Sequence, residues 1–352
     1  MRQLTRPVME FPRAAAPLIL FAFRFGLMLF LLLGSSLRVA AQASVRMYGV
    51  EYVDAAQFGK RFGLNAKSAG PQRLNLKSAW TEIRLRNSSV EAVLNDRTLF
   101  LSEPIVTRAG RLHLSKADAE GLFAPILVPH AGPKSGPLRT IMIDPGHGGR
   151  DPGHRNTRLK LVEKTYTLDV AKRLERLLAA QGLKVVLTRK DDRYVSLDAR
   201  AAMANRLKPD LFISIHFNGV SSRSVVGAET YVMTPHGDRS TPQREGDRSM
   251  VRTRYPANRH DHWNAVLGYQ LHRAVVQGTG AHDRGLKRFR YSVLRSVECP
   301  AVLVEAGFLS NDREGRKIAS AAYRQTIAES IATGIKAHRE LRTRAERRAK
   351  EG

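Results

Sequence analysis

The sequence predicts an α/β protein: a twisted, mostly parallel or mixed sheet with helices on both faces, preceded by a small α+β accessory domain. Two observations predict this. Over residues 139–341, short apolar runs of strand length alternate with longer segments whose apolar residues recur at helical spacing. Over residues 44–127, the apolar runs are shorter and turn residues separate them closely. The composition is globular, with 43% hydrophobic and 26% charged residues among 352, so disorder and fibrous repeats are excluded. The single cysteine, Cys299, excludes an intrachain disulfide framework and a CxxC zinc ribbon. Any metal must therefore be held mainly by His, Asp or Glu.

Residues 1–43 read as an export signal. Arg2, Arg6 and Arg13 form a basic start, apolar residues run from Ala14 to Gly34 with Arg24 interrupting, and Ala41-Gln42-Ala43 is a cleavage sequence. Retention as an N-terminal anchor is the competing reading. In either case the remaining chain is expected outside the cytoplasm, periplasmic or extracellular and associated with the cell envelope. The net charge of +26 points to anionic partners such as wall polymers or an anionic envelope surface. Nucleic acid is discounted, because export removes it and no nucleic-acid-binding module is visible.

In the accessory block 44–127, a short helix is expected over 53–59 and strands over 74–76, 81–85, 92–94 and 99–101. Asn95-Asp96 marks a hairpin turn. Ser115 is placed to cap a short helix over 115–121. Residues 128–138, rich in Pro and Gly, read as a linker.

The second block, 139–341, opens with a buried-strand run at 141–143. A helix over 162–180 stops at Gly182, and a strand follows at 184–188. A helix over 197–207 and strands over 211–215 and 227–233 come next. A helix over 263–278, a strand over 301–304 and a helix over 323–341 complete it. The remaining residues, 342–352, form a basic tail that could extend the last helix as a solvated face.

The chemistry-bearing residues cluster at element ends. His147 follows the first strand, Glu163 starts the next helix, and His216 and Glu305 each end a strand. In open α/β sheets ligands bind beyond the carboxyl ends of strands, so these four groups can converge. Two His and one Glu make a catalytic zinc set with one open position, and a further carboxylate is free for proton transfer. Singly, each has an ordinary explanation: a hydrogen-bonded loop histidine, a carboxylate at a helix N-terminus, or a buried ion-pair partner.

The stretches Ile143-Asp144-Pro145-Gly146-His147-Gly148-Gly149, Glu163-Lys164, Ser214-Ile215-His216-Phe217-Asn218 and Val304-Glu305-Ala306-Gly307-Phe308-Leu309-Ser310-Asn311 resemble, in this order, the motifs of zinc-dependent N-acetylmuramoyl-L-alanine amidases that are exported to the cell wall. Leu197-Asp198-Ala199-Arg200 adds to the likeness. The accessory block resembles the small N-terminal domain of copper amine oxidases through Leu94-Asn95-Asp96 to Leu101-Ser102, with no copper implied. The amidase resemblance implies His147, Glu163 and His216 as ligands of one zinc ion and Glu305 as the catalytic general base and acid. Asn218 and Arg200 are implied as residues shaping the substrate site. The implied reaction is hydrolysis of the amide joining the N-acetylmuramoyl lactyl group to L-alanine in peptidoglycan, for wall remodelling or separation of daughter cells. A zinc peptidase cutting within the stem peptide and a non-catalytic wall-binding protein are the alternatives. Some such amidases carry a helical plug over the metal that an activator protein removes, so the resemblance leaves the need for an activator partner open. Residues 235–262, at that place, hold six arginines without helical apolar periodicity, which predicts a mobile basic loop instead of a plug.

Overall fold

The computed structural model describes residues 43–241 and 248–351. The export segment 1–43 lies, but for Ala43, outside the described residues, as do residues 242–247 of the arginine-rich loop. Among the described residues no helix is long and apolar enough to cross a membrane.

The chain begins with β1 (Ser44–Met47), β2 (Val50–Asp54) and α1 (Ala55–Arg61), whose N-cap Asp54 accepts from the Gln57 N–H. There follow β3 (Asn65–Ser68), β4 (Arg73–Lys77), β5 (Glu82–Arg86), β6 (Glu91–Leu94) and β7 (Arg97–Phe100). The turn between β6 and β7 is the Asn95-Asp96 pair, with φ of 47° and 60°, the backbone a tight hairpin requires. Next come β8 (Val106–Arg108), β9 (Arg111–Ser115), α2 (Lys116–Asp118) and, beyond a π-turn at 119–123, α3 (Ala124–Leu127). Ser115 caps this stretch by accepting from the Asp118 N–H at 3.0 Å.

The remaining elements are β10 (Thr140–Pro145), β11 (Arg155–Asn156), β12 (Leu161–Val162), α4 (Glu163–Ala179), β13 (Lys184–Leu187), α5 (Leu197–Leu207) and β14 (Leu211–Asn218). They continue with β15 (Ala228–Val232), α6 (Arg248–Val251), α7 (Asp261–Thr279), β16 (Asp283–Arg288), α8 (Ser292–Arg295), β17 (Ala301–Phe308), α9 (Asp312–Ala319) and α10 (Ala321–Glu351). Every helix and strand expected in 139–341 is present. The sequence pattern left out β11, β12, α6, β16, α8 and α9, which are short or carry few apolar residues in phase.

The main sheet has eleven strands in the order β13-β10-β14-β17-β15-β16-β7-β6-β5-β4-β3. Its β13-β10-β14-β17 end is parallel, β15 pairs antiparallel with β17, and β16 runs parallel to both β15 and β7. Period-2 alternation sends successive side chains to opposite faces. Ile141, Ile143, Ile213, Ile215, Val302 and Val304 join α4, α7 and α10 in one core. Met142, Phe212, Ala301 and Leu303 face the other way, into a core with α5 and α8.

The sequence places a boundary at 128–138, but the sheet crosses it. Strands β3–β7 extend the main sheet through β7 and β16, where Leu99 pairs with Leu286 and the Thr98 N–H donates to Asp283 Oδ2 at 2.9 Å. Leu76, Ile83, Leu94 and Leu99 share a core with Ile141 and Leu271. Strands β1, β2, β9 and β8 form a separate four-stranded sheet. The segment 128–138 is pinned by the Trp263 indole N–H to Pro133 O at 2.9 Å and by Leu138, which is buried. Likewise α10 runs on through the expected tail, because Arg342 is buried and donates to Gly136 O at 2.9 Å. The flanks of 242–247 are also tied down: Arg290 donates to Asp238 O at 2.7 Å, and Asn258 donates to Thr234 O at 2.9 Å. What reads as one loop from Pro235 to His262 therefore includes α6, a 3-10 turn at 256–260 and the start of α7.

Leu99→Ala, in a Trp80→Phe background, is expected to cost about 2–5 kcal/mol by emptying a fully buried site. Because the sheet is continuous, urea curves from Trp263 fluorescence and from circular dichroism should shift together. A Trp263 transition that stays in place while the dichroism shifts would contradict the shared sheet.

Candidate functional site

The site lies at the carboxyl ends of β10, β14 and β17. His147 sits just beyond β10 with φ of 63°, a left-handed backbone that a non-glycine residue adopts only under constraint. The glycines around it are required by contact. A Cβ on Gly146 would stand 2.2 Å from the His216 ring, and one on Gly148 would stand 2.2 Å from Arg193 O.

Two buried arginines hold this loop. Arg200, from α5, donates to Asp144 Oδ1 at 2.6 Å, Pro145 O at 2.8 Å and His147 O at 2.7 Å. Asp144 also accepts from Thr188 Oγ1 at 2.6 Å and Ser214 Oγ at 2.8 Å, so strands on both sides of β10 are tied to it. Arg189 donates to Pro145 O, Gly146 O and Lys164 O, linking the loop to the start of α4. Lys164 donates to Gly149 O at 2.9 Å and pairs with Asp192 at 2.6 Å. Arg200, which the resemblance places among residues shaping the substrate site, is thus spent on the framework: its side chain is 3% exposed and Asp144 1%.

Glu163 opens α4 and points its carboxylate between the two imidazoles. His147 Nε2 lies 3.0 Å and His216 Nδ1 3.1 Å from Glu163 Oε1. The same oxygen accepts from the Phe217 N–H, and Oε2 accepts from the His154 N–H at 2.8 Å. Burial works to raise the Glu163 pKa, but the two imidazoles outweigh it and hold the carboxyl below its usual range. Burial likewise opposes the charge on His147, yet Glu163 and Asp151 raise its pKa. The nitrogen and oxygen donors of His147, Glu163 and His216 all lie within 4.8 Å of one another, and together they could hold a metal ion. His147 turns its other nitrogen to Asp151 Oδ2 at 2.9 Å, which fixes the ring's orientation. Asp151 carried no signal in the sequence beyond lying four residues after a histidine.

Glu305 lies on β17 directly beside His216 of β14 and Glu229 of β15. Its Oε2 is buried and makes no hydrogen bond among the described residues. Burial, reinforced by the charges of Glu163 and Glu229, pushes its pKa well above the usual carboxylate range. Glu229 has the opposite environment. It accepts from Arg284 at 2.7 Å, Lys287 at 2.9 Å, Tyr231 Oη at 2.6 Å and Asn218 Nδ2 at 3.1 Å. Burial opposes its ionisation, and these partners, Lys287 foremost, lower its pKa regardless. Asn218 therefore serves Glu229 in this structure and stands at the half-buried edge of the site.

Other histidines do not join the cluster. His262 bonds Pro129 O and His236 bonds Arg252 O. The His154 ring lies against Gly219. Cys299 is buried, and burial pushes its thiol up to about 12, which suits a packing residue and not a nucleophile.

Residues 141–337 match the model of the family described as N-acetylmuramoyl-L-alanine amidase. Among curated proteins the chain is 32% identical over 220 residues to N-acetylmuramoyl-L-alanine amidase AmiC of Escherichia coli O6:H1, an alignment covering 56% of this chain and 52% of that one. It is 34% identical over 205 residues to the probable cell wall amidase LytH of Staphylococcus epidermidis, covering 57% of this chain and 60% of the relative. The chain spans about half the length of the curated relatives it matches. Among solved structures, N-acetylmuramoyl-L-alanine amidase from Clostridium difficile 630 aligns with a TM-score of 0.47 at 30% identity, over 57% of this chain and 97% of that one.

Arg200→Met leaves Asp144 buried without its cation and is expected to destabilise the fold by about 3–5 kcal/mol in urea denaturation. Adding Asp144→Asn should recover part of that loss. A single variant within 1 kcal/mol of wild type, on the order of an exposed ion pair, would remove the ion pair from its structural role.

Proposed function

Because this chain belongs to the N-acetylmuramoyl-L-alanine amidase family, we propose that it hydrolyses the amide between the lactyl group of N-acetylmuramic acid and L-alanine in peptidoglycan. The observation that supports this reading is the placement of half-buried Glu305, one of whose oxygens is buried and unbonded among the described residues, in register with one of three clustered side chains that could hold a metal ion.

His147, Glu163 and His216 are the proposed ligands of one zinc ion. The donor set fits: two imidazoles and one carboxylate leave a fourth position open, and the Asp151–His147 hydrogen bond is the support such ligands carry. When bound, zinc would polarise the scissile carbonyl and make water a better nucleophile. The chain's own groups do the remainder. Glu305, whose carboxyl pKa is pushed well above its usual range by burial and two neighbouring carboxylates, takes a proton from the attacking water and delivers it to the departing alanine nitrogen. Glu229, locked by Arg284 and Lys287, stays ionised and does not compete for that proton. Arg189 and Arg200 keep the His147 loop from relaxing.

The same reading places the enzyme in the cell envelope, where its substrate polymer lies, with residues 1–43 as the export signal. The exported protein should begin at Ser44 on N-terminal sequencing; an intact N-terminus on the exported chain would indicate an anchor instead.

Glu305→Gln is expected to lower amide hydrolysis by about 10²–10⁴-fold while zinc content stays near one per chain. His147→Ala and His216→Ala should lose both zinc and activity. Mass spectrometry of digested peptidoglycan should show stem peptides beginning with L-alanine. Products cut within the stem, or full activity in Glu305→Gln, would refute the reading.

A further inference from the structure

Glu305, Glu229 and His216 share one face of the eleven-stranded sheet, and that face continues onto the N-terminal strands. Following register outward, Glu305 lies opposite Glu229, and Glu229 is bonded by Arg284 and Lys287 of β16. Lys287 Nζ stands 4.9 Å from the Phe100 ring centre on β7, and a Cβ on Gly285 would stand 2.7 Å from the same ring. From β7 the row passes through Thr98 and Val93 to Arg84 and Asn75. The opposite face of these strands is buried through Leu99, Leu94, Ile83 and Leu76.

On the catalytic half this face is covered by α5 and α8. On β4 and β5 it is open, with Arg73, Arg84 and Arg86 exposed around a hollow of about 370 Å³ that Asn75, Ser89 and Glu91 also line. Arg73 and Arg86 are direct cross-strand partners. Like charges so placed repel, and the fold gains nothing from the pairing. Arg84 is neutralised by Glu82 and Asp96, but neither Arg73 nor Arg86 has a carboxylate partner among the described residues. Two guanidinium groups side by side offer forked donors suited to carboxylates.

We propose that this hollow is a distal subsite for the carboxylates of a peptidoglycan stem peptide, which deepens the amidase reading and rests on it. The hollow is five to six strand spacings from Glu305, roughly 24–29 Å along the sheet. A stem of five residues spans at most about 18 Å. The peptide held at Arg73 and Arg86 is therefore not the one being cut but a neighbouring stem of the same polymer, and the subsite favours intact wall over single muramoyl-peptides.

The test uses the full chain carrying Glu305→Gln and measures its retention on purified peptidoglycan. Adding Arg73→Ser and Arg86→Ser should reduce retention about 10-fold. Removing two exposed charges elsewhere, by Lys172→Gln and Arg176→Gln, should change it less than about twofold. Peptidoglycan with its carboxylates converted to amides should hold the parent as weakly as native wall holds the double variant. With Glu305 intact, the double variant should cut a soluble muramoyl-peptide within about twofold of wild type. Unchanged retention in the double variant, or an equal loss in the control pair, would overturn the subsite. If retention depends on Arg73 and Arg86 but neither substrate is cut, the subsite stands and the amidase reading fails.

Discussion

The ion pair between Asp144 and Arg200 sits beneath the whole site. Asp144 ends the apolar run of β10 in a place where a free carboxylate could not remain. Arg200 neutralises it, Thr188 and Ser214 occupy its other lone pairs, and what is left of the guanidinium reaches the carbonyls of Pro145 and His147. A glycine-rich loop is by nature floppy. Anchored by Arg200 on one side and Arg189 on the other, it holds His147 in a backbone conformation that the residue would not choose alone.

That rigidity lets one side of the site concentrate negative charge. Glu163, Glu229 and Glu305 are all close together and all largely removed from water. Each meets the cost differently. Glu163 is satisfied by two imidazoles and two backbone N–H groups, and Glu229 by two cations, a tyrosine and an asparagine. Glu305 is satisfied by neither, so it holds its proton more tightly than the others. Three chemically identical groups thus acquire three roles from their surroundings alone.

The junction of β7 with β16 changes what strands β3 to β7 are for. Joined there, the N-terminal strands present one face to the common core and the other in continuation of the face that bears Glu305. The basic character of the chain then has a local expression, in arginines aligned across β4 and β5 at a distance set by strand spacing.

Local pattern alone determined the longer elements of 139–341, because apolar spacing and Gly182 as a helix stop act over a few residues, as does the Ser115 cap in the N-terminal block. The same holds for the Asn95-Asp96 turn, whose backbone demands are local. His147, Glu163, His216 and Glu305 were legible as candidates because strand and helix ends are visible in sequence, and because their neighbours resemble a known family. Only the tertiary structure decided that Arg200 supports the loop from below, that Asp151 orients His147, and that Glu229 takes the cations and leaves Glu305 bare. It also decided that 44–127 joins the main sheet. Apart from the four-residue step between His147 and Asp151, these depend on contacts between residues tens to nearly two hundred positions apart, such as Thr98 with Asp283. Periodicity and spacing report which face a side chain takes, but not which partner waits there.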